Sequence, residues 1–240
     1  MNIDGKRSGV LLILVLAAAL GLRLFHLGQR VVWFDEANSL LVARATPAEI
    51  VEAARDDVHS ALYNLVLHFW QSVFAGETAA RMLSVLAAVA TVATVYFLGT
   101  RLGGPVAGLL SAGLLGLAPL HVWYSQEVRM YSVQTLLISL SFLFLLKGTR
   151  EGWGNTWRAY IVCTTLAIYL QYTSIFAVLA QNVFVIICRR KDPRTVRCWL
   201  PRKEVVIALV LFAPHFVRTN PRRRCDGQQR GASQPAKPTS

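Results

Sequence analysis

The chain has 240 residues, of which 54% are hydrophobic and 16% are charged. Soluble domains carry about 25% charged residues, so this composition excludes an ordinary soluble enzyme. The formal net charge of +12 lies between apolar blocks, where the positive-inside rule places it, and not on a surface suited to nucleic acid. The composition therefore predicts a multi-pass membrane protein that contacts lipids and binds no nucleic acid.

The first apolar block predicts a membrane span near residues 8–27, directly after Lys6 and Arg7. Its uncharged part is short for the ~20 residues that a span requires. We therefore expect Arg23 to extend its charged end toward the membrane interface. A cleaved signal peptide is the alternative, because Ala17-Ala18-Ala19 has the small residues of a cleavage site.

Residues 28–78 are rich in acidic side chains and predict an outer loop. Within this loop, Thr46-Pro47 is typical of a helix start, with a capping residue followed by proline at the first helical position. The apolar spacing around it predicts short amphipathic helices on the membrane surface. Residues 61–75 are apolar but short, which favours a re-entrant or interfacial helix over a shallow span.

Five further spans are predicted, near residues 79–100, 105–121, 130–147, 159–171 and 174–188. The last two form a hairpin that turns near Gln171, because basic residues flank the block at both ends and belong on the same side. Residues 1–203 thus form one transmembrane module. Residues 204–217 predict a marginal seventh span, and residues 218–240 a basic, disordered tail.

The distribution of charge predicts the orientation of the chain. Basic residues cluster before the first span, after the second and after the predicted hairpin, whereas the acidic loop 28–78 lies on the opposite side. Basic segments face the cytoplasm. We therefore expect an all-α, multi-pass bundle in the plasma or inner membrane, with a cytoplasmic N-terminus.

Three polar clusters meet at the predicted outer face: Asp35-Glu36 after the first span, Arg81 at the start of the second, and Glu127 with Arg129 before the fourth. Taken singly, each has a structural explanation as a solvated loop or an interfacial anchor. Taken together, they form a site. A carboxylate can act as a general base, and an arginine at a helix N-terminus favours an anion such as a lipid phosphate.

Four motifs carry a resemblance to a known family. Their order and spacing resemble those of the GT-C superfamily of polyprenyl-phosphate-sugar glycosyltransferases, above all the protein mannosyltransferase and lipid A aminoarabinose transferase group. The similarity covers roughly residues 8–190. The motifs are Trp33-Phe34-Asp35-Glu36, His59-Ser60-Ala61-Leu62-Tyr63, Arg81-Met82-Leu83-Ser84 and Pro119-Leu120-His121-Val122-Trp123-Tyr124-Ser125-Gln126-Glu127-Val128-Arg129-Met130-Tyr131.

The resemblance implies a role for each motif residue. Asp35, with Glu36 beside it, is implied to be the catalytic base, and Arg81 to hold the donor phosphate. Glu127 and Arg129 correspond to positions at the outer mouth of the cavity. The remaining substrate-binding residues implied by the motifs are His59 and Tyr63.

The predicted function is transfer of a sugar from a polyprenyl-phosphate donor to a lipid, glycan or protein acceptor outside the cytoplasm, with inversion. No cofactor or metal is required, although the carboxylates of Asp35 and Glu36 have the chemistry to bind a divalent ion. Two alternatives stay open: an inactive, C-terminally truncated remnant of such an enzyme, and a membrane transporter component. A transporter predicts charges spread through the spans and internal repeats, whereas here the charges concentrate at one face.

Overall fold

The computed structural model describes residues 5–54, 61–151 and 154–191, and these ranges contain helices and no β-strand. The prediction of an all-α fold is therefore confirmed. His59 and the predicted segments 204–217 and 218–240 lie outside the described residues. The helices are α1 (Gly5–Leu24), α2 (Phe34–Ala43), α3 (Pro47–Ala53), α4 (Ala61–Val73), α5 (Glu77–Leu117), α6 (Pro119–Ser125), α7 (Tyr131–Glu151), α8 (Gly154–Leu170) and α9 (Ile175–Lys191).

Within the part of the chain that the structure describes, three helical segments are long and apolar enough to cross a membrane: Gly5–Gln29, Glu77–Leu117 and Tyr131–Thr149. A shorter apolar segment, Tyr172–Ile187, follows. Many large apolar side chains of α1 are exposed, such as Ile13 and Leu14. A helix that is apolar around its whole circumference can leave such side chains exposed where lipid replaces water. These helices make the chain a membrane protein.

Helix α5 is bent in its middle. Gly104 has a φ of +84° and Pro105 follows it, so the helix breaks and resumes at this point. This break lies between the predicted spans 79–100 and 105–121. The second half ends at Leu117, four residues earlier than predicted. The cause is Pro119, because the residue before a proline avoids the helical region, and Ala118 accordingly has an extended backbone.

The close return of the chain after this bend depends on two glycines. A Cβ added to Gly99 would lie 2.9 Å from the Cα of Gly108, and one added to Gly108 would lie 2.7 Å from the Tyr96 carbonyl oxygen. The two halves of α5 therefore touch backbone to backbone. Helix α1 packs against the same region, where its Ser8 hydroxyl lies 2.6 Å from that of Tyr96.

Helices α8 and α9 are joined by the short 3₁₀ segment Tyr172–Ser174, after Gln171 leaves the helical region. Tyr160 of α8 donates a hydrogen bond to Gln181 of α9 at 3.0 Å, and Gln181 donates to Ser141 of α7 at 2.7 Å. These buried polar contacts fix α9 against the preceding two helices. Which side of the membrane this turn faces stays a prediction.

Helices α2, α3 and α4 form a small layer over the start of α5. Thr46 caps the start of α3, as the Thr46-Pro47 pattern predicts, and it makes reciprocal capping bonds with Glu49. Leu40, Tyr63 and Leu67 pack with Ala80 of α5 and with Val128. This layer brings the N-terminus of α2 over the first turns of α5 and beside the segment that joins α6 to α7.

Candidate active site

A buried ion pair joins α2 to α5. The side chains of Glu36 and Arg81 are each 2% exposed. Arg81 donates from Nε to Oε1 of Glu36 at 3.2 Å and from Nη2 to Oε2 at 2.9 Å. Such a two-point contact between a guanidinium and a carboxylate is strong and directional. It fixes the first turn of α2 over the first turns of α5.

Arg81 also holds the loop that leads from α1 to α2. Its Nη1 donates to the carbonyl oxygens of Leu27 at 2.9 Å and Arg30 at 3.0 Å. Since a guanidinium has five N–H groups, these bonds and the two to Glu36 use most of its donors. The charge of Arg81 is thus matched inside the protein.

Both acids of α2 reach the segment between α6 and α7. The backbone N–H of Val128 donates to Oε1 of Glu36 at 2.8 Å. Asp35 pairs with Arg129 at 3.6 Å, and its side chain is 41% exposed against 8% for Arg129. Of the two adjacent acids, Glu36 is therefore the internal one, and Asp35 is the carboxylate that an external molecule can reach.

A pocket of about 420 Å³ opens beside this cluster. Asp35 is not among the pocket-lining residues, but it lies in the chain between two of them, Trp33 and Glu36. Two arginines, two tryptophans and two acids account for most of the wall: Arg30, Arg81, Trp33, Trp123, Glu36 and Glu127. This combination can hold an anion beside a sugar, because guanidinium groups bind phosphate and aromatic faces accept apolar ring surfaces.

Arg30 is placed in this pocket by two contacts with α6 and the residue that follows it. Its guanidinium carbon lies 4.1 Å from the centre of the Trp123 ring. Its Nη1 donates to the amide oxygen of Gln126 at 3.1 Å. Gln126 in turn donates to the carbonyl oxygens of Arg23 and Phe25, both at 3.0 Å. The end of α1 and the end of α6 thus form one rigid wall.

Glu127 is a buried acid on the pocket wall. It lines the pocket, is 5% exposed, and its Oε2 has no hydrogen-bond partner among the described residues. Burial raises the pKa of this carboxyl group above its ordinary value, and a hydrogen bond from Trp123 opposes that shift. The arrangement favours a protonated Glu127 over a wider pH range than in water.

Tyr63 lies beneath the site and not in the pocket. Its side chain is 4% exposed and belongs to the core around Leu40 and Leu67. Its hydroxyl group neighbours Ser84, Arg129 and Glu36, and burial raises its pKa. In this position Tyr63 supports the ion pairs from below. The structure therefore brings together five of the predicted site residues and sets Tyr63 behind them.

Arg23 is where the sequence-based expectation was wrong. Instead of extending to the interface, its side chain is fully buried. It donates to the carbonyl oxygens of Ala19 at 2.8 Å and Gly116 at 3.1 Å, and its Nη2 lies 2.6 Å from Nδ1 of His121. The Gly116 carbonyl lies in the last turn of α5 and has lost its helical partner, and Arg23 supplies the donor that a buried carbonyl group requires.

Sequence reasoning did not identify Arg30 or Gln126 as site residues. Arg30 lies five residues before Asp35, outside the four motifs. Its contact with Trp123 depends on the fold.

Possible metal ligands are not clustered in the described ranges. No three His, Cys, Asp or Glu side chains there are grouped closely enough to hold an ion.

Residues 58–217 match the family model of dolichyl-phosphate-mannose-protein mannosyltransferase. The matched segment contains Arg81, Glu127 and Arg129, whereas Asp35 and Glu36 precede it. No curated protein and no solved structure gave a significant match. Because the family model covers most of the chain, this protein belongs to the dolichyl-phosphate-mannose-protein mannosyltransferase family, whose members are membrane glycosyltransferases of the GT-C type.

Proposed function

We propose that this protein transfers a sugar from a polyprenyl-phosphate donor to an acceptor on the extracytoplasmic side of the membrane. The observation that carries the proposal is the pocket lined by Arg30, Arg81, Trp33 and Trp123, with the exposed carboxylate of Asp35 one residue from its wall. An anion site, aromatic surfaces and a base are what this transfer requires. Nucleotide sugars are kept in the cytoplasm, so an outward-facing transferase needs a donor carried by a lipid.

In the proposed reaction, the Asp35 carboxylate accepts the proton of the acceptor hydroxyl or amine. The acceptor atom then attacks the anomeric carbon of the sugar. The bond between that carbon and the phosphate oxygen breaks, and polyprenyl phosphate leaves with the negative charge. A single displacement of this kind inverts the configuration at the anomeric carbon.

The other residues of the site have supporting roles in this proposal. The positive charge of the cluster that contains Arg81, Arg129 and Arg30 stabilises the phosphate as its charge develops. Glu36 keeps Arg81 in place, and Glu127 closes the pocket on the side of α6. His59, which precedes α5 in the chain, completes the substrate-binding set, and Tyr63 acts on that set indirectly by packing behind the ion pairs. The acceptor is a lipid, a glycan or a protein.

The N-terminus is cytoplasmic in this proposal, and the site faces outward in the plasma or inner membrane. The transporter alternative receives less support, since the ion pairs Glu36–Arg81 and Asp35–Arg129 concentrate charge at one end of the helices. A transport pathway is instead expected to place charges along its length.

The test is a donor panel offered to the purified protein in lipid nanodiscs. Polyprenyl-phosphate hexoses and pentoses are compared with nucleotide sugars, and the released polyprenyl phosphate is quantified together with the anomeric configuration of the product. Release of polyprenyl phosphate with an inverted product supports the proposal. Transfer from nucleotide sugars alone would overturn it, and a retained configuration would overturn the single displacement.

A further inference from the structure

Three arginines lie at the proposed donor site, and their surroundings differ. Arg81 is buried against Glu36, with two hydrogen bonds to that carboxylate and two to backbone carbonyls. Arg129 is paired with Asp35. Arg30 also lines the pocket, but its hydrogen bond goes to the uncharged amide of Gln126.

The charge balance of the pocket follows from these contacts. A phosphate that approached Arg81 would compete with Glu36 for the same guanidinium, and removing that buried carboxylate from its partner is costly. Among the described residues, Arg30 forms no ion pair. Glu127 on the same pocket wall interacts with its charge, but burial raises the pKa of that carboxyl group and so favours its neutral form. The positive charge of Arg30 is therefore the one most fully available to an anion in the pocket.

Arg30 is also held in a fixed orientation before any ligand arrives. Stacking on Trp123 and the bond to Gln126 restrict its side chain from two directions, and its own carbonyl oxygen is fixed by Arg81. A guanidinium that is already oriented loses less conformational entropy when it binds an anion. The aromatic face covers one side of the group and leaves its N–H edge for oxygen ligands.

From this arrangement we infer that Arg30 is the residue that contacts the phosphate of the lipid donor directly, and that Arg81 is a positioning residue that acts through Glu36 and the carbonyl of Arg30. This inference rests on the proposed function for the identity of the ligand. It assigns the phosphate contact to a residue outside the motifs that suggested the activity, because Arg30 precedes both the Asp35-Glu36 pair and the segment matched by the family.

The experiment measures binding of two fluorescent lipids, polyprenyl phosphate and the corresponding uncharged polyprenol, to protein in nanodiscs. Arg30→Gln removes a hydrogen bond to a charged group, and we therefore expect it to weaken binding of polyprenyl phosphate about 10- to 100-fold. Binding of polyprenol is expected to stay unchanged. Arg30→Lys keeps the charge and is expected to recover part of the affinity. Arg44→Gln is the matched control, since Arg44 is an exposed arginine at the end of α2.

The two lipids separate a phosphate contact from a structural role. If Arg30 only stabilised the fold, Arg30→Gln would weaken binding of both lipids equally, and that result would overturn the inference. Unchanged affinity for polyprenyl phosphate would also overturn it.

The parent protein distinguishes this inference from the proposed function. If the parent prefers polyprenyl phosphate over polyprenol and Arg30→Gln removes the preference, the inference is supported even where no sugar is transferred. If the parent has no preference between the two lipids, the lipid-phosphate donor is wrong, and the role of Arg30 is overturned with it.

Discussion

Glu36 and Arg81 form a two-point ion pair whose side chains are both 2% exposed, at the place where α2, α5 and the segment between α6 and α7 meet. The pair links the loop after α1 to the segment between α6 and α7 through three further backbone groups, which are the carbonyls of Leu27 and Arg30 and the N–H of Val128. Because this contact joins three segments of the chain, its loss is expected to alter the positions of several side chains of the site.

We therefore expect Glu36→Gln to destabilise the protein strongly. Removing one partner of a buried ion pair leaves an uncompensated charge and typically costs about 3–5 kcal/mol. The free energy of unfolding in mixed detergent micelles provides the measurement. The control is Glu52→Gln, an exposed acid of α3, for which a change within about 0.5 kcal/mol is expected. Equal effects of the two substitutions would show that the pair contributes nothing to stability.

A second prediction concerns the bend of α5. In Gly108→Ala, the new methyl group would lie 2.7 Å from the Tyr96 carbonyl oxygen and would overlap the Thr100 hydroxyl group. The backbone cannot move aside cheaply, so we expect a loss of about 1–3 kcal/mol in the free energy of unfolding.

Gly113→Ala is the matched control on the same helix, since nothing lies within 4 Å of its added Cβ. Replacing a helical glycine by alanine is expected to be neutral or to stabilise by up to about 1 kcal/mol. If both alanine variants were equally stable, the two halves of α5 would have to be farther apart than the structure places them.

The helices were predictable from the sequence, and the internal partners were not. Long apolar runs and the Gly103-Gly104-Pro105 turn indicate where α1, α5 and α7 lie, because these signals are local. The choice between Asp35 and Glu36 as the buried acid depends on the position of Arg81 and Val128, which are distant in sequence. Arg23 illustrates the same limit: its partners include the Gly116 carbonyl, which is exposed to it only because Pro119 ends α5 early.

Local patterns also explain why Arg30 was missed. No local sequence pattern distinguishes Arg30 from any other basic residue in a loop. Its role depends on Trp123, which the sequence could assign equally to an aromatic belt at the membrane interface. The contact between the two residues requires the end of α1 and the end of α6 to meet, and the Arg23 and Gln126 bonds that bring them together are tertiary.

The third prediction concerns the dependence of stability on pH. Burial raises the pKa of Glu127 above its ordinary value of 4.5, so the folded protein binds this proton more tightly than the unfolded chain. The resulting stabilisation is complete below the ordinary value and is lost as the pH rises through the raised pKa. Glu127→Gln has no proton to lose at this position. The melting temperature of the variant minus that of the parent is therefore expected to increase as the pH is raised from about 4 to 8.

The matched control for Glu127 is again Glu52→Gln. A carboxylate in contact with water keeps its hydration when it ionises, so the difference in melting temperature is expected to vary little over the same range. Were the Glu127→Gln difference equally flat, Glu127 would have to be ionised and solvated in the folded protein.

A fourth prediction tests the orientation in the membrane. The acidic loop is proposed to face outward and the start of α1 to face the cytoplasm, so cysteines at Glu52 and Arg7, both exposed, should label differently. With an impermeant thiol reagent added to intact cells, Glu52→Cys is expected to react and Arg7→Cys to react only after lysis. The native cysteines are first replaced by serine: Cys163, Cys188, Cys198 and Cys225. Labelling of Arg7→Cys in intact cells would reverse the proposed topology.

The last prediction concerns the base. Asp35→Asn preserves the size of the side chain and removes its ability to accept a proton. The loss of a well-placed general base typically costs about 10²–10⁴-fold in rate. The Asp35–Arg129 contact is long, at 3.6 Å, and its carboxylate is 41% exposed, so its contribution to stability is smaller than that of the buried Glu36–Arg81 pair. We therefore expect transfer to fall by that factor, while the affinity for polyprenyl phosphate stays close to that of the parent and the melting temperature falls only modestly, because the amide of the new side chain can still accept a hydrogen bond from Arg129. Under the alternative, Asp35 only anchors α2 at the membrane surface, and Asp35→Asn would keep the parent's transfer rate per folded molecule. That single rate, compared at equal amounts of folded protein, decides between the two roles.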